Sequence, residues 1–440
     1  MSRETIFAIA SGTSRAAIAV LRLSGPATRF IVKAMVRKLP EERAATLATF
    51  IDPASGEAID KGLVIFFPGP RSFTGEDSAE FHVHGGRAVV ARLIVAIGGF
   101  PEARPAEPGE FTRRALLNGK MDLAEVEGLA DLVEAETEWQ RQQALRQMEG
   151  RLSRQAEAWR SALLEAAALV EAEIDFSDEP GVPASTSRRI GEILKPVLDG
   201  LDAELGAGRA GERIREGLVV VIAGPPNAGK STLLNALARR EVAIVSPEAG
   251  TTRDLIEVHL DLGGCPVTLI DTAGLRESAD AIEKIGVARA LERAKSADLI
   301  LWLSETGEPS DFARSIEGSE VWPIFTKCDL AHGGDQVPPD AVSISAETGQ
   351  NLDILIERIT DFARAAGGDG YAGLITKERH RKAFEAAAES LTRILANLDA
   401  PVELIAEDLR AASFALQRIT GSIDVEEILG EIFSRFCIGK

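Results

Sequence analysis

Residues 224–231 read GPPNAGKS and match the phosphate-binding pattern G-x-x-x-x-G-K-[ST]. In that pattern the glycines let consecutive backbone N–H groups curve around phosphate oxygens at the N-terminus of a helix. Lys230 would contact the β and γ phosphates, and the hydroxyl of Ser231 would bind Mg²⁺. The loop therefore predicts a site for a nucleoside triphosphate and Mg²⁺.

The segments on both sides of this loop have the patterns that such a site needs. EGLVVVIAG at 216–224 is an apolar, β-branched run, which predicts a buried parallel strand. STLLNALARR at 231–240 places Leu233, Leu234 and Leu237 on one side of a helix. The same short pattern also occurs in strand-to-helix turns that bind nothing, so later segments must decide between the two interpretations.

Two later segments have the composition of nucleotide-sensing switches. AGTTRD at 249–254 offers Thr252, whose hydroxyl would complete the Mg²⁺ shell and sense the γ-phosphate. In VTLIDTAGL at 267–275, Asp271 ends a predicted strand and would hold Mg²⁺ through a water molecule. The Gly274 N–H would meet the γ-phosphate. Both segments favour the nucleotide-binding interpretation.

A third segment would read the base. TKCD at 326–329 follows the apolar run WPIF, and Asp329 would accept the N1–H and exocyclic amine of guanine, which adenine does not offer. Ser345 and Ala346 follow the strand AVSI, where a backbone amide would reach the guanine O6. GTPases usually carry Asn where this chain has Thr326, so we expect weaker binding with the guanine preference kept. An ordinary strand-end carboxylate is the alternative for Asp329.

The catalytic glutamine of Ras-type enzymes is replaced here by Leu275. An aliphatic side chain cannot position water, so the acidic stretch 276–283 is expected to supply the polar group. Asn227 either coordinates a monovalent cation that neutralises transition-state charge or caps a turn. The GTP contacts that these motifs predict are Asn227, Ala228, Gly229, Lys230, Ser231, Thr232, Thr252, Asp271, Thr272, Ala273, Gly274, Lys327, Asp329, Ser345 and Ala346.

Composition bounds the remaining choices. The 440 residues, 45% of them hydrophobic, suffice for two or three domains with buried cores. A net charge of −19 argues against broad, non-specific nucleic-acid binding, although a solvated surface explains the same acidity. Three cysteines without C-x-x-C spacing indicate neither a disulfide framework nor a zinc site. Without a signal peptide or a long apolar run, we expect a cytoplasmic protein that does not enter a membrane.

Four segments follow one another along the chain. Residues 1–118 mix short β runs with helical stretches, which predicts an α+β domain, and residues 119–212 are helical. Apolar residues from Leu145 to Ile174 recur at helical spacing and predict one long helix. A P-loop α/β domain over 213–370 is then inserted before a second helical part over 371–440. The simplest arrangement is one helical bundle that holds the nucleotide domain.

The chain resembles the bacterial tRNA modification GTPase family MnmE, also called TrmE, over its whole length. Beyond the nucleotide motifs, the resemblance rests on LRLSGP at 21–26, SFTGEDSAEFHVHGG at 72–86, PGEFTRRALLNGKMDL at 108–123, GTTRD at 250–254, DTAGLRE at 271–277 and FCIGK at 436–440. FCIGK is the most specific of these motifs, because general GTPases have nothing like it.

The resemblance implies a homodimer formed through the N-terminal domain and a complex with the flavoprotein MnmG, which carries FAD and uses NADH. The two proteins would add a (carboxymethyl)aminomethyl group at C5 of the wobble uridine, position 34, of certain tRNAs. The one-carbon unit would come from a formyl-tetrahydrofolate held by the N-terminal domain. By resemblance, its contacts are Arg22, Glu80, Lys120 and Lys440.

The resemblance also implies a potassium-dependent GTPase. The K⁺ ligands would be Asn227, Ser246, Glu248 and Thr251, and by the same resemblance Ser246 and Thr251 would also belong to the GTP site. Glu283 would orient the hydrolytic water and so replace the function missing at Leu275. Cys437 would be required for tRNA modification and not for hydrolysis. Its four-residue C-terminal setting fits a prenylation signal poorly.

Alternatives remain open at this stage. The chain would instead be an RNA- or ribosome-assembly GTPase without modification chemistry, or a folate-dependent one-carbon transferase that GTP regulates. Glu80, His82 and His84 alternate along one strand and share a face, which suits a metal triad, a folate wall or a satisfied core.

Overall fold

A computed structural model of the chain describes residues 4–12, 16–175, 185–207, 209–240, 242–244, 257–271, 297–305, 320–330, 342–368, 373–421 and 439. The chain divides into two compact units, one of Met1–Ala130 with Gln417–Lys440 and one of Asp131–Leu416. The domain boundaries predicted near residues 118, 212 and 370 stay a prediction.

The first part of the chain alternates strands and helices. Its elements are β1 (Thr5–Ile9), β2 (Ile18–Ser24), α1 (Thr28–Val36), β3 (Thr46–Ile51), β4 (Ala58–Phe67), β5 (Ser78–His84), α2 (Arg87–Gly98), β6 (Ala103–Pro105), α3 (Glu110–Leu117) and α4 (Leu123–Glu134).

The six strands of the first unit form one mixed sheet in the order β3-β4-β5-β2-β1-β6. Only β1 and β6 pair in parallel, and the other neighbours are antiparallel. Side chains on one face, such as Phe50 and Phe81, are buried together with Ile31 and Met35 of α1 and Leu93 of α2. Alternation along each strand leaves the other face for polar residues, Arg22 and Glu80 among them. This unit confirms the α+β prediction.

The rest of the chain holds the second sheet between helices. Its elements are α5 (Glu138–Met148), α6 (Arg151–Asp175), α7 (Ser185–Gly206), α8 (Ala210–Glu216), β7 (Leu218–Ala223), α9 (Lys230–Ala238), β8 (Glu257–Leu262), β9 (Cys265–Asp271), β10 (Leu299–Ser304), β11 (Glu320–Phe325), β12 (Val342–Ser343), α10 (Leu352–Gly367), α11 (Glu378–Ala396) and α12 (Val402–Thr420).

The second sheet has the order β12-β11-β10-β7-β9-β8. All neighbours pair in parallel except β8 and β9, which form an antiparallel hairpin. The central strand β7 and helix α9 lie where the apolar run and the leucine pattern predict them, and Leu233, Leu234 and Leu237 are buried. Parallel strands buried on both faces require such continuous apolar runs. The α/β prediction for this region is confirmed.

Helices from before and after the nucleotide domain pack together, which confirms the predicted bundle. The rings of Trp159 on α6 and Phe384 on α11 lie 5.3 Å apart in an edge-to-face arrangement. The prediction of one helix from Leu145 to Ile174 is wrong, because α5 ends at Met148 and α6 begins at Arg151. Gly150 interrupts the helix between them. Its φ of +77° is a left-handed conformation that glycine adopts without strain. None of the helices in the described part of the chain combines the length and apolar character that a bilayer-spanning segment needs.

Trp139 of α5 joins the bundle to the nucleotide domain through two glycines. The backbone N–H of Trp139 donates to the Gly264 carbonyl oxygen at 3.1 Å, in the turn between β8 and β9. A Cβ on Gly264 would lie 2.8 Å from the indole Cδ1, and one on Gly367 would lie 2.9 Å from Cζ3. A side chain at either glycine would therefore collide with the indole.

We expect Gly264→Ala to lower the free energy of unfolding of the second unit by about 2 to 4 kcal/mol, since left-handed strain and overpacking add. Gly368→Ala is the matched control, because its φ is +63° and nothing lies within 4 Å of the added Cβ. In a chain that already carries Trp139→Ala, Gly264→Ala should cost less free energy of unfolding, because the overpacking against the indole is gone. Equal losses in Gly264→Ala and Gly368→Ala, measured by denaturant unfolding, would contradict the contact.

Candidate functional site

The phosphate-binding loop joins β7 to α9 through backbone conformations that favour glycine. Gly224 has φ +147°, and a Cβ there would lie 2.2 Å from the Leu303 carbonyl oxygen. The first residue of the loop after β7 therefore packs directly against the backbone of β10. Asn227 follows at φ +66°. Gly229 caps α9 at φ +92° with nothing within 4 Å of its Cβ position. This open space borders the first N–H groups of α9, which have no partner inside the helix, and it fits a phosphate group.

Lys230 places its ammonium group at the mouth of the loop. Its Nζ donates to the carbonyl oxygens of Gly224 and Pro225 at 2.8 and 2.9 Å. Burial lowers the pKa of Lys230 below its usual value, and the charge of Asp271 opposes part of that effect. The ammonium group thus donates to two neutral carbonyl oxygens. Negatively charged phosphate oxygens would be stronger acceptors and would take their place.

Ser231 and Asp271 meet on the same side of the loop. The Ser231 hydroxyl donates to Asp271 Oδ2 at 2.8 Å, and Asp271 is the last residue of β9 and buried. Oxygen ligands of this kind suit Mg²⁺, which binds through one or two protein groups together with phosphates and water. No cluster of three or more His, Cys, Asp or Glu side chains suited to a metal occurs in the described residues. The pair fits the predicted Mg²⁺ site, which needs no such cluster.

The predicted base-reading residues lie on two neighbouring loops at the end of the parallel sheet. Lys327 and Asp329 follow β11, and the Cys328 N–H donates to the Ile344 carbonyl oxygen at 3.2 Å, after β12. The Ser345 N–H donates to the Gln350 carbonyl oxygen at 3.1 Å, so the predicted contact to the guanine O6 falls to Ala346.

Thr326, which stands where GTPases usually have Asn, points into the protein. It is buried, and its N–H donates to the Ser304 carbonyl oxygen at 3.0 Å, with its hydroxyl 3.4 Å from the same oxygen. The backbone N–H and the hydroxyl of Thr326 therefore both tie the start of the base-reading loop to the end of β10.

The described members of the predicted GTP site fall into two groups, the phosphate-binding loop with Asp271 and the two base-reading loops, with Ala228 buried in the first group and Thr232 in the first turn of α9. Ten other predicted residues lie outside the described residues. These are Ser246, Glu248, Thr251, Thr252, Thr272, Ala273, Gly274, Glu283, Cys437 and Lys440.

A second candidate site lies on the sheet of the first unit. Arg22 on β2 and Glu80 on β5 are paired across the strands, and the Arg22 Nη2 and Nε atoms donate to Glu80 Oε1 at 2.9 and 3.2 Å. Both side chains line a cavity of about 240 Å³. Phe73 also lines it, and the Arg22 guanidinium lies 5.6 Å from its ring centroid. Aromatic walls with a carboxylate and a guanidinium fit a pterin ring and its N–H groups.

Lys120 and Gly439 lie close to elements of the first unit. The Lys120 Cγ atom lies 3.3 Å from the Cβ position of Gly75, in the turn that carries Phe73. Gly439 is buried with φ +105°, and a Cβ there would lie 2.1 Å from the Ile9 carbonyl oxygen at the end of β1. Three of the four predicted folate contacts, Arg22, Glu80 and Lys120, thus lie among the described residues of this unit, and the fourth, Lys440, lies outside them.

The three alternating residues of β5 do not share one centre. His82 Nε2 lies 3.3 Å from Glu80 Oε2, whereas His84 Nδ1 lies 2.9 Å from Asp60 Oδ1. Glu80 also binds Arg22, so its charge is already compensated. This arrangement favours the interpretation of Glu80 as part of the wall of the cavity.

An ion-pair network around the buried residues Arg114 and Glu110 supports the turn beside this cavity. Arg114 of α3 pairs with Glu76 and with Glu110, each at 2.9 Å, and Arg104 pairs with Glu110 at 2.7 Å. Glu76 accepts from the Ser24 hydroxyl at 2.8 Å, which in turn bonds Thr74 of the cavity lining at 2.7 Å. The network therefore holds the 72–76 turn in place.

We expect the first unit to lose stability as the pH falls from about 4.5 towards 2. Burial acts to raise the pKa of Glu110, but hydrogen bonds from Arg104, the Glu107 N–H and Arg114 outweigh it and lower the pKa from 4.5 to about 2. A carboxyl group whose pKa is lower in the folded than in the unfolded state stabilises the fold at any pH above its unfolded pKa. This stabilisation is lost as the pH falls to its folded pKa. At about 1.4 kcal/mol per pH unit between the two pKa values, it is of order 3 kcal/mol.

Hydrogen exchange of peptides from 4–130 measures this effect. Tryptophan fluorescence would not report on the first unit, because all four tryptophans lie beyond residue 130. Glu110→Gln should flatten the pH dependence of protection in that window. Glu57→Gln, at an exposed site on the same unit, is the control. An unchanged pH dependence in Glu110→Gln would show that other carboxylates govern acid unfolding.

Comparison with known proteins agrees with these features. The family described as GTP-binding protein TrmE N-terminus matches residues 5–120, and the family described as MnmE helical domain matches residues 123–437. The tRNA modification GTPase MnmE of Beijerinckia indica subsp. indica is 64% identical over 437 residues, which cover 99% of this chain and 96% of that protein. The protein of the same name from Bradyrhizobium sp. (strain ORS 278) is 50% identical and covers 99% of each chain.

A solved structure, the G domain of the T. maritima FeoB iron transporter, is 26% identical and covers 33% of this chain and 98% of that chain, with a TM-score of 0.25. The two family matches together span nearly the whole sequence, and the full-length relatives share half or more of its residues. The chain therefore belongs to the MnmE family of tRNA modification GTPases.

Proposed function

We propose that this chain binds and hydrolyses GTP with Mg²⁺ and that this activity serves the modification of tRNA. The observation that carries the proposal is the phosphate-binding loop, in which Lys230 and the Ser231–Asp271 pair flank the open space over Gly229. Membership of the MnmE family supports it. We further propose the domain limits 1–118, 119–212, 213–370 and 371–440.

The residues of the loop would act on the nucleotide by position and charge. Lys230 would leave the Gly224 and Pro225 carbonyls and bind the β and γ phosphates, and the backbone N–H groups at the start of α9 would bind the phosphate oxygens. Ser231 would bind Mg²⁺, and Asp271 would accept a hydrogen bond from a water on the metal. When bound, Mg²⁺ neutralises negative charge that develops between the phosphates. Asp329 would select guanine.

Asn227 and several residues beyond the described ranges complete this proposal. Thr252 would be a second Mg²⁺ ligand, and Glu283 would orient the attacking water. Asn227, Ser246, Glu248 and Thr251 would bind K⁺, whose charge would take the place of an arginine finger. Asn227 has φ +66°, a left-handed conformation that asparagine adopts in turns, and its amide oxygen would be the K⁺ ligand of the described part of the chain. Faster hydrolysis in KCl than in NaCl, lost in Asn227→Ala, would be the supporting result.

We propose that the modification is the addition of a (carboxymethyl)aminomethyl group at C5 of the wobble uridine, together with the flavoprotein MnmG and its FAD. The chain would act as a cytoplasmic homodimer and hold formyl-tetrahydrofolate in the cavity that Arg22 and Glu80 line. Glu80 would accept from pterin N–H groups, and Lys120 and Lys440 would supply positive charge nearby. Cys437 would serve the modification and not hydrolysis.

Mass spectrometry of wobble uridines in cells that carry only Lys230→Ala tests the whole proposal. We expect the modified nucleoside to disappear, with the unmodified uridine in its place. Lys382→Ala, an exposed lysine of α11 that pairs with Glu378, is the matched control and should preserve modification. Normal modification in Lys230→Ala cells would refute the coupling of the nucleotide site to tRNA.

An assembly GTPase without modification chemistry is the alternative that binding experiments separate. Such a protein should bind no formyl-tetrahydrofolate, whereas the proposed enzyme should. A one-carbon transferase regulated by GTP is separated by an assay of transfer to tRNA, because it should act without the flavoprotein.

A further inference from the structure

The cavity on the first unit carries more positive charge than its ring-binding role needs. Three arginines, Arg22, Arg43 and Arg71, line it against one glutamate, Glu80, which leaves an excess of two positive charges. Glu80 already binds Arg22 through two donors. The excess therefore belongs to Arg43 and Arg71.

Arg43 and Arg71 are exposed at the mouth of the cavity. Across the ranges that the structure describes, neither guanidinium has a carboxylate within salt-bridge distance. The Arg43 backbone is fixed by its N–H, which donates to the Phe66 carbonyl oxygen at 2.8 Å, and its guanidinium lies 5.8 Å from the Phe67 ring centroid. Two guanidinium groups in one cavity, without acidic partners there, suit a ligand with at least two carboxylates.

The cavity is thus chemically divided. Glu80 accepts hydrogen bonds and suits the N–H groups of a pterin, while Arg43 and Arg71 suit anions. Phe67 and Phe73 line the same cavity and offer aromatic surface to a benzoyl ring. A folate has these three parts in this order, a pterin, a benzoyl ring and a glutamate with two carboxylates.

We propose that Arg43 and Arg71 bind the glutamate tail of the folate and make the site select folates by that tail. Arg22 then belongs to the part of the cavity that holds the pterin ring, because its guanidinium is already ion-paired with Glu80. The assignment rests on the proposed function, in which this cavity holds formyl-tetrahydrofolate. Additional γ-linked glutamates bring further carboxylates to the same arginines, so longer tails bind more tightly.

Calorimetry on the full chain with two ligands tests the assignment. The ligands are 5-formyltetrahydrofolate and 5-formyltetrahydropteroate, which lacks the glutamate. For the unaltered chain we expect the folate to bind roughly three- to thirtyfold more tightly, the range that two exposed ion pairs provide. Because exposed charges are screened, this ratio should fall as salt is raised.

The double variant Arg43→Gln with Arg71→Gln should bring the folate to the affinity of the pteroate and leave the pteroate unchanged. Arg87→Gln is the matched control, since Arg87 is an exposed arginine of the same unit outside the cavity lining. It should preserve the ratio. Circular dichroism of each variant confirms that the fold is retained.

Each other outcome overturns the assignment in a recognisable way. The tail assignment would be wrong if the unaltered chain bound both ligands with equal affinity, or if the double variant bound both ligands more weakly by the same factor. Either result would leave the proposal that the cavity binds a folate standing. Failure of the unaltered chain to bind either ligand would remove the proposed folate function as well. Weaker tRNA binding in the double variant, with an unchanged ligand ratio, would assign the arginines to RNA phosphates instead.

Discussion

Replacing Asp329 with asparagine is expected to weaken GTP binding roughly a hundredfold to ten-thousandfold and to make XTP the preferred nucleotide. The carboxylate would accept two donors from guanine, the N1–H and the 2-amino group. An asparagine amide presents one acceptor and an N–H group, which faces the 2-amino group unfavourably but matches the 2-oxo group of xanthine. Asp329 is exposed on a turn that the Leu330 N–H closes onto the Lys327 carbonyl oxygen at 2.9 Å, so the substitution should leave the fold intact.

Equilibrium binding of GTP, ATP and XTP to the full chain measures this prediction. Asp361→Asn, at an exposed position of α10, is the control and should leave all three affinities unchanged. A loss of GTP affinity below threefold, or unchanged discrimination between GTP and XTP, would show that another group reads the base.

The second large effect is expected from Lys230→Ala, which should lower kcat for GTP hydrolysis by about a hundredfold to a thousandfold. Lys230 Nζ stands 2.8 Å from the Gly224 carbonyl oxygen, at the rim of the open space over Gly229. Removal of this charge leaves the negative charge that develops on the phosphates without its nearest compensating cation. The loss should appear mainly in kcat at saturating GTP.

Phosphate release at several GTP concentrations separates kcat from binding. Lys382→Ala should match the unaltered chain. If Lys230→Ala raised KM and preserved kcat, the lysine would contribute to ground-state binding alone, and our account of its role would be wrong.

Features set by local pattern were predictable from the sequence. The β7 run, the leucines of α9 and the position of Asp271 at the end of β9 all follow from periodicity over a few residues. The loop between β7 and α9 needs glycine at two backbone positions, and its motif states this directly. The strands and the helix that flank the phosphate-binding loop were therefore the most predictable elements of the molecule.

Features that depend on contacts between distant residues were not predictable in the same way. The helical spacing across Gly150 continues through the break, so periodicity alone joined α5 to α6. Arg114 and Glu76 are 38 positions apart, and only the fold brings them together. Arg43 and Arg71 stand outside the family motifs and share the cavity only after β4 and the following turn are in place.

The indole of Trp139 between Gly264 and Gly367 limits how freely the nucleotide domain of this chain can be exchanged. A graft of that domain from another GTPase would succeed only if the donor also lacks side chains at both positions, or if residue 139 shrinks to accommodate them. The three positions should accordingly change as a set among chains of this architecture, so that bulk gained at a glycine is matched by bulk lost at the tryptophan.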